Sequence, residues 1–212
     1  MIEKKERNSN IELYRIIVML LIVIHHYVVN SGLLDEIFKT PLAPESIYLY
    51  ILGMWGKTGI NSFVLITGYF MCKSSISLRK FVKLLLQIEL YNILFGCIFL
   101  YTGYISLSVS SLIQIVNPIP SVNTGFISCF LLFYLFIPFL NILLNNLSKS
   151  QHLLLVILCL GIYTILGTVP WINLTLNYIT WFCILYVVAS YVRLYGIWRG
   201  EDKMFWGGRL SF

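Results

Sequence analysis

Six long apolar stretches constrain this chain more than anything else in it. A helix crossing the ~30 Å hydrocarbon core of a bilayer needs about 20 mostly apolar residues. Runs of that kind fall at about residues 13–29, 47–71, 84–105, 125–144, 153–169 and 176–195. Composition agrees with them: 58% of residues are hydrophobic, 11% are charged, and the mean hydropathy is +0.84. A soluble domain carries roughly a quarter charged residues, so too little polar surface remains here to coat a globule in water. A soluble enzyme, a disordered tail and a nucleic-acid-binding domain are excluded. The expected fold class is all-α, a polytopic transmembrane helical bundle of about six spans over residues 1–196, followed by a short cytoplasmic tail, 197–212.

The first run is not a signal peptide, because no small-residue cleavage site follows it and Glu3, Glu6 and Glu12 dilute its basic start. The second is rich in small and polar residues, from Gly53 to Gly68, which places it inside the bundle, where small residues let helices approach closely. Pro138 predicts a kink in the fourth. The five cysteines, Cys72, Cys97, Cys129, Cys159 and Cys183, are scattered singly with no CxxC pair. They point to packing or lipid-facing positions rather than to a metal site or a disulfide framework.

Charge placement sets the expected orientation, since basic residues mark the cytoplasmic side. The net charge is +6. Its basic residues cluster before the first span (Lys4, Lys5, Arg7) and after the second (Lys73, Arg79, Lys80, Lys83), the fourth (Lys149) and the sixth (Arg199, Lys203, Arg209). The alternate loops hold Asp35, Glu36, Lys39 and Glu45, then nothing charged from 106 to 123 or from 170 to 175. The N-terminus is therefore expected in the cytoplasm.

Ionisable groups at membrane depth are costly and usually face a cavity or a partner. Arg15 and His26 are eleven residues apart, three helical turns plus about 20°, so they share one face about 16 Å apart along the axis. His25 points about 80° away from that stripe. A desolvated imidazole at His26 would stay neutral near pH 7 and suit general-base catalysis; it could equally hydrogen-bond a neighbouring helix or sit at the outer interface. Arg15 could serve a site at the inner mouth or snorkel to the headgroups as an anchor. Lys57, in the middle of the second span at about the depth of His26, could line the same cavity or anchor the outer end of a later-starting helix. Glu89 could pair with Arg15 or Lys83. Arg79, Lys80 and Lys83 could take the phosphates of a donor such as coenzyme A, or bind anionic lipid and fix topology. His152, at the inner start of the fifth span, is expected at the interface. No GxSxG, HExxH, phosphate loop, paired-carboxylate motif or internal repeat is present.

The stretch from Asn10 through Arg15 to His25-His26 resembles the opening of the integral-membrane acyltransferase 3 family, bacterial proteins that O-acetylate surface polysaccharides. In that family an early arginine is followed eleven positions later by an essential histidine, which here is His26. Gly59-Ile-Asn-Ser-Phe63 through Thr67-Gly68-Tyr69-Phe70 is similar to the family's Phe-rich segment, with Thr67 for its serine. Leu78-Arg79-Lys80-Phe81-Val82-Lys83 resembles the basic start of its third helix. Tyr134-Leu-Phe-Ile-Pro138-Phe-Leu-Asn141 resembles its fourth, and Trp181-Phe182 to Tyr195 its sixth. Gly125-Phe126-Ile127 departs from a usual Trp-Phe pair. The family has about ten helices, so the resemblance implies a truncated or short member.

The resemblance implies a membrane-bound O-acetyltransferase-like enzyme. Acetyl-CoA or another acyl-CoA would be a donor substrate approaching from the cytoplasm, with Arg15 and the Arg79–Lys80–Lys83 cluster guiding it. The acceptor would be a sugar hydroxyl of a glycan or lipid-linked precursor, and His26 the base. No bound cofactor, metal or nucleic acid is expected. The expected partners are the lipid bilayer, the acyl-CoA and the sugar acceptor, and the expected location is the bacterial cytoplasmic membrane. Rival readings are an inactive fragment of such an enzyme and a small transporter or channel using His26, Lys57 and Glu89.

Overall fold

A computed structural model of the chain describes residues 9–116, 125–169, 171 and 177–196. The basic residues Lys4, Lys5 and Arg7, the tail 197–212 and parts of the two uncharged loops lie outside these. Among the described residues helices joined by turns and short loops are the regular structure, with no strand. The bundle expected from the apolar runs is therefore what forms, in two compact units, 1–68 and 69–212.

In the first unit, α1 (Ser9–Asn30) is one regular helix of 22 residues. Gly32, at φ 80°, turns the chain into the short α2 (Leu33–Lys39). Next come α3 (Pro44–Gly53), opened by a proline at its first turn, and α4 (Gly56–Met71). The expected second span is thus not one helix. The helix is broken at Met54–Trp55, between α3 of 10 residues and α4 of 16. At 1.5 Å per residue α4 is about 24 Å long, so this segment can cross the hydrocarbon core only as the broken pair α3–α4; among the described residues five other helical segments are each long and apolar enough to cross a membrane. Both glycines at the start of α4 face α1: a Cβ on Gly59 would lie 2.8 Å from the Ile22 side chain, and one on Gly56 would overlap the His25 ring.

The second unit holds α5 (Leu78–Tyr101), α6 (Val109–Val116), α7 (Phe126–Asn145), α8 (Lys149–Leu160) and α9 (Tyr178–Tyr195). Ser77 caps α5, and Ser148 with Gln151 forms a reciprocal capping box on α8. A π turn (Gly161–Ile165) and a short 3-10 turn extend α8 toward the length of a span. The short α6 doubles back on α5, with Ile115 seated against Gly96. The core lies between α7 and α9, where Phe133, Phe182 and Tyr186 are fully buried and stack edge to face at 5.9 Å. Pro138 sits inside α7 without ending it. Cys72 and Cys129 are buried, Cys97 is exposed, and all five cysteines are free thiols.

Candidate functional site

Within the first unit, the unbroken α1 carries Arg15, His25 and His26 on one rod, so the stripe joining Arg15 to His26 runs about 16 Å along a regular helix. Arg15 is partly exposed and lies 4.0 Å from Glu12, one turn earlier.

The two histidines differ in their surroundings. His25 is half-buried, and its Nδ1–H donates to the Gly53 carbonyl at 2.5 Å. That carbonyl ends α3, so the imidazole takes up a backbone acceptor that the helix break releases. Backbone breaks at membrane depth are tolerated only where such partners exist. With its proton fixed on Nδ1, neutral His25 keeps its lone pair on Nε2. Gly56 supplies the room for the ring, since a methyl group there would occupy the same space.

His26 is exposed, and its ring meets His25 edge-on at 5.5 Å. The expected desolvation of His26 is thus not provided by the described residues around it; the enclosed imidazole is His25, because the α3–α4 break closes over that face of α1. Asn30, one turn on, places its amide 3.3 Å from His26 Nδ1. As placed, the amide N–H donates to Nδ1 and the ring proton sits on Nε2. For Nε2 to accept a proton, the amide must turn its oxygen to Nδ1–H, an exchange that conserves the shape of the side chain. Lys57 is exposed in the first turn of α4, directly after the glycine that seats His25. It is therefore level with the histidine pair but not in the middle of a continuous span, because the helix restarts at Gly56.

In the second unit, Arg79, Lys80 and Lys83 are exposed in the first two turns of α5. Lys80 Nζ donates to the Ser75 carbonyl at 2.7 Å. Glu89 is enclosed farther along α5, and among the described residues neither carboxylate oxygen has a hydrogen-bond partner. The pairing with Lys83 is therefore not made. At two turns' separation on α5, and with Lys83 exposed, the ammonium is not drawn down to the carboxylate.

His152 corrects a second expectation. It is fully buried rather than interfacial, since α9 packs over this face of α8. Its Nε2–H donates to the Val187 carbonyl at 3.1 Å, its Nδ1 has no hydrogen-bond partner among the described residues, and the rings of Tyr191 and Tyr195 lie edge-on to it.

A polar chain to which the sequence assigns no role joins α9, α7 and the α4–α5 turn. Tyr186 Oη donates to Asn141 Oδ1 at 2.6 Å. Asn141 Nδ2 donates to the carbonyls of Met71 at 3.1 Å and Ser74 at 3.4 Å. Beside it, Arg193 donates to Tyr69 Oη at 2.8 Å and lies 4.6 Å over the Tyr69 ring. A lone asparagine inside an apolar run is the signal that could have pointed to Asn141. Burial pushes the Cys72 thiol, in the same turn, above its ordinary pKa, and the nearby charges of Arg193 and Lys73 act against that rise.

Among the described residues no cluster of three or more metal-ligating side chains occurs. A family model described as an acyltransferase domain matches residues 8–207. No curated protein and no solved structure matches the chain. The matched range takes in every candidate residue above.

Proposed function

Since the chain belongs to the acyltransferase 3 family, with several helices able to span a membrane, we propose that it transfers an acetyl or similar acyl group from acyl-CoA to a sugar hydroxyl of a surface glycan or its precursor, in the bacterial cytoplasmic membrane. The observation that carries this reading is the regular α1 of a family member, with a guanidinium and an imidazole in register on one stripe.

In the proposed reaction the sugar oxygen attacks the thioester carbonyl. A C–O bond forms, the C–S bond breaks, and His26 relays the hydroxyl proton to the departing thiolate, leaving an ester and free coenzyme A. Its Nε2 is the accepting atom when the Asn30 oxygen holds the proton on Nδ1. Arg15 offers a cation to the donor at the opposite end of the stripe, and Arg79, Lys80 and Lys83 add positive charge for its phosphates.

A positioned general base contributes typically 10²–10⁴-fold. His26→Ala is therefore expected to lower acyl transfer by about 100-fold or more. His25→Ala is expected to act less on turnover and more on stability, because His25 seats a helix break. The measurement is acetyl transfer from labelled acetyl-CoA by membranes containing each variant, with mass spectrometry of surface glycans for the acetyl increment. Equal tolerance of both substitutions would remove the mechanism.

A further inference from the structure

The turn between α4 and α5 (residues 72–77) is short, lies just before the basic start of α5, and is tied down from outside itself. Asn141 reaches it from α7 across a sequence separation of about 70 residues. Its amide has two N–H donors and one carbonyl acceptor, and all three functions are used. The carbonyls of Met71 and Ser74 can only accept, so Nδ2 must face the turn and Oδ1 must face Tyr186. The amide orientation is thereby set by chemistry. Tyr186 in turn is fully buried between α7 and α9 and held by Phe133. Lys80 closes the other side of the turn through the Ser75 carbonyl.

Positive charge gathers around this tie. Arg79, Lys80 and Lys83 leave the first turns of α5, Lys73 lies within the turn, and Arg193 lies over Tyr69 at the end of α4. Both Lys73 and Arg193 are close enough to influence the Cys72 thiol.

We propose that Asn141, braced by Tyr186, is a positioning residue: a strut that fixes the α4–α5 turn and so pre-arranges the surrounding basic side chains for a phosphate-bearing donor. The donor part rests on the acyl-CoA reading above; the strut itself does not. Pre-arranged cations lose less freedom on binding than ones that must be ordered by the ligand.

The strut can be tested without turnover. In the full-length chain with its other four cysteines replaced by alanine, Cys72 reports the turn, since it is only 7% exposed. A companion chain retaining only Cys129, which is fully buried in α7, reports general loosening. Asn141→Asp keeps the acceptor for Tyr186 but turns a carboxylate toward two carbonyls. Tyr186→Phe removes a single hydroxyl and preserves the packing. In detergent, Asn141→Asp is expected to speed alkylation of Cys72 about tenfold or more, since both hydrogen bonds from Asn141 to the turn are lost, with Cys129 unchanged and Tyr186→Phe intermediate. Binding of desulfo-coenzyme A should weaken severalfold in the same order. Unchanged Cys72 labelling, or equal rises at the two cysteines in both variants, overturns the strut. Faster Cys72 labelling with unaltered desulfo-coenzyme A binding, or a wild-type chain that binds none, overturns its role in placing the cations. A wild-type chain that binds the analogue yet transfers no acyl group counts against the proposed reaction and leaves the strut standing.

Discussion

Gly56 has no space for a side chain, because the His25 ring fills the volume a methyl group would need. Gly56→Ala must displace the imidazole from the Gly53 carbonyl. Overpacking of this kind costs about 1–3 kcal/mol, so the thermal unfolding midpoint in detergent is expected to fall. Gly161→Ala, in a helical position with nothing within 4 Å of the new methyl, is the control and should not fall with it. Equal midpoints for the two variants would show that the ring does not depend on Gly56. The histidines and Arg15 were legible in the sequence because ionisable groups stand out in an apolar run. Which histidine is enclosed was not legible. That depends on Gly53 and Gly56, about 30 residues away, and on a break that brings them onto α1. Asn141 was hidden for the same reason: its partners, Met71 and Ser74, are distant in sequence.

Helix ends and helix breaks obey local rules that apolar counting does not see. Hydropathy sums over residues 47–71 without registering that Gly53-Met54-Trp55-Gly56 interrupts the helix, so one expected span became α3 and α4. The short α2 and α6 were likewise unforeseen, as each is too brief to carry a periodic signal. The start of α8 is clearer. Ser148 Oγ accepts from the Gln151 N–H at 3.3 Å, and Gln151 Oε1 accepts from the Ser148 N–H at 2.9 Å. Ser148→Ala removes one half of this capping box and is expected to cost about 1 kcal/mol. The check is the midpoint shift in detergent, with Ser148→Asp restoring it because a carboxylate caps as well. A midpoint that Ser148→Ala leaves in place would mean the cap contributes nothing to folding.

For the chain as a whole, orientation is the property that charge placement predicts most directly. Basic residues surround the α4–α5 turn and the start of α8, whereas the stretch after α5 bears none. A reporter enzyme active only in the cytoplasm is therefore expected to work when inserted after Ser75 and to be silent after Ser106. The reverse pattern would invert the proposed orientation and place the basic face on the wrong side for a cytoplasmic donor.

Membership of an all-helical membrane class followed from the sequence alone, because the cost of exposing that much apolar surface to water is a sum over residues and needs no knowledge of their arrangement. The register of Arg15 with His26 followed too, since a continuous helix has a fixed turn. What tertiary structure alone decided was enclosure and pairing: His25 rather than His26 under the helix break, His152 buried against α9, and Asn141 on the carbonyls of a distant turn. Those outcomes are set by which atoms meet across helices, and a hydrogen bond or a cavity wall is made by neighbours in space that a linear run of residues does not reveal.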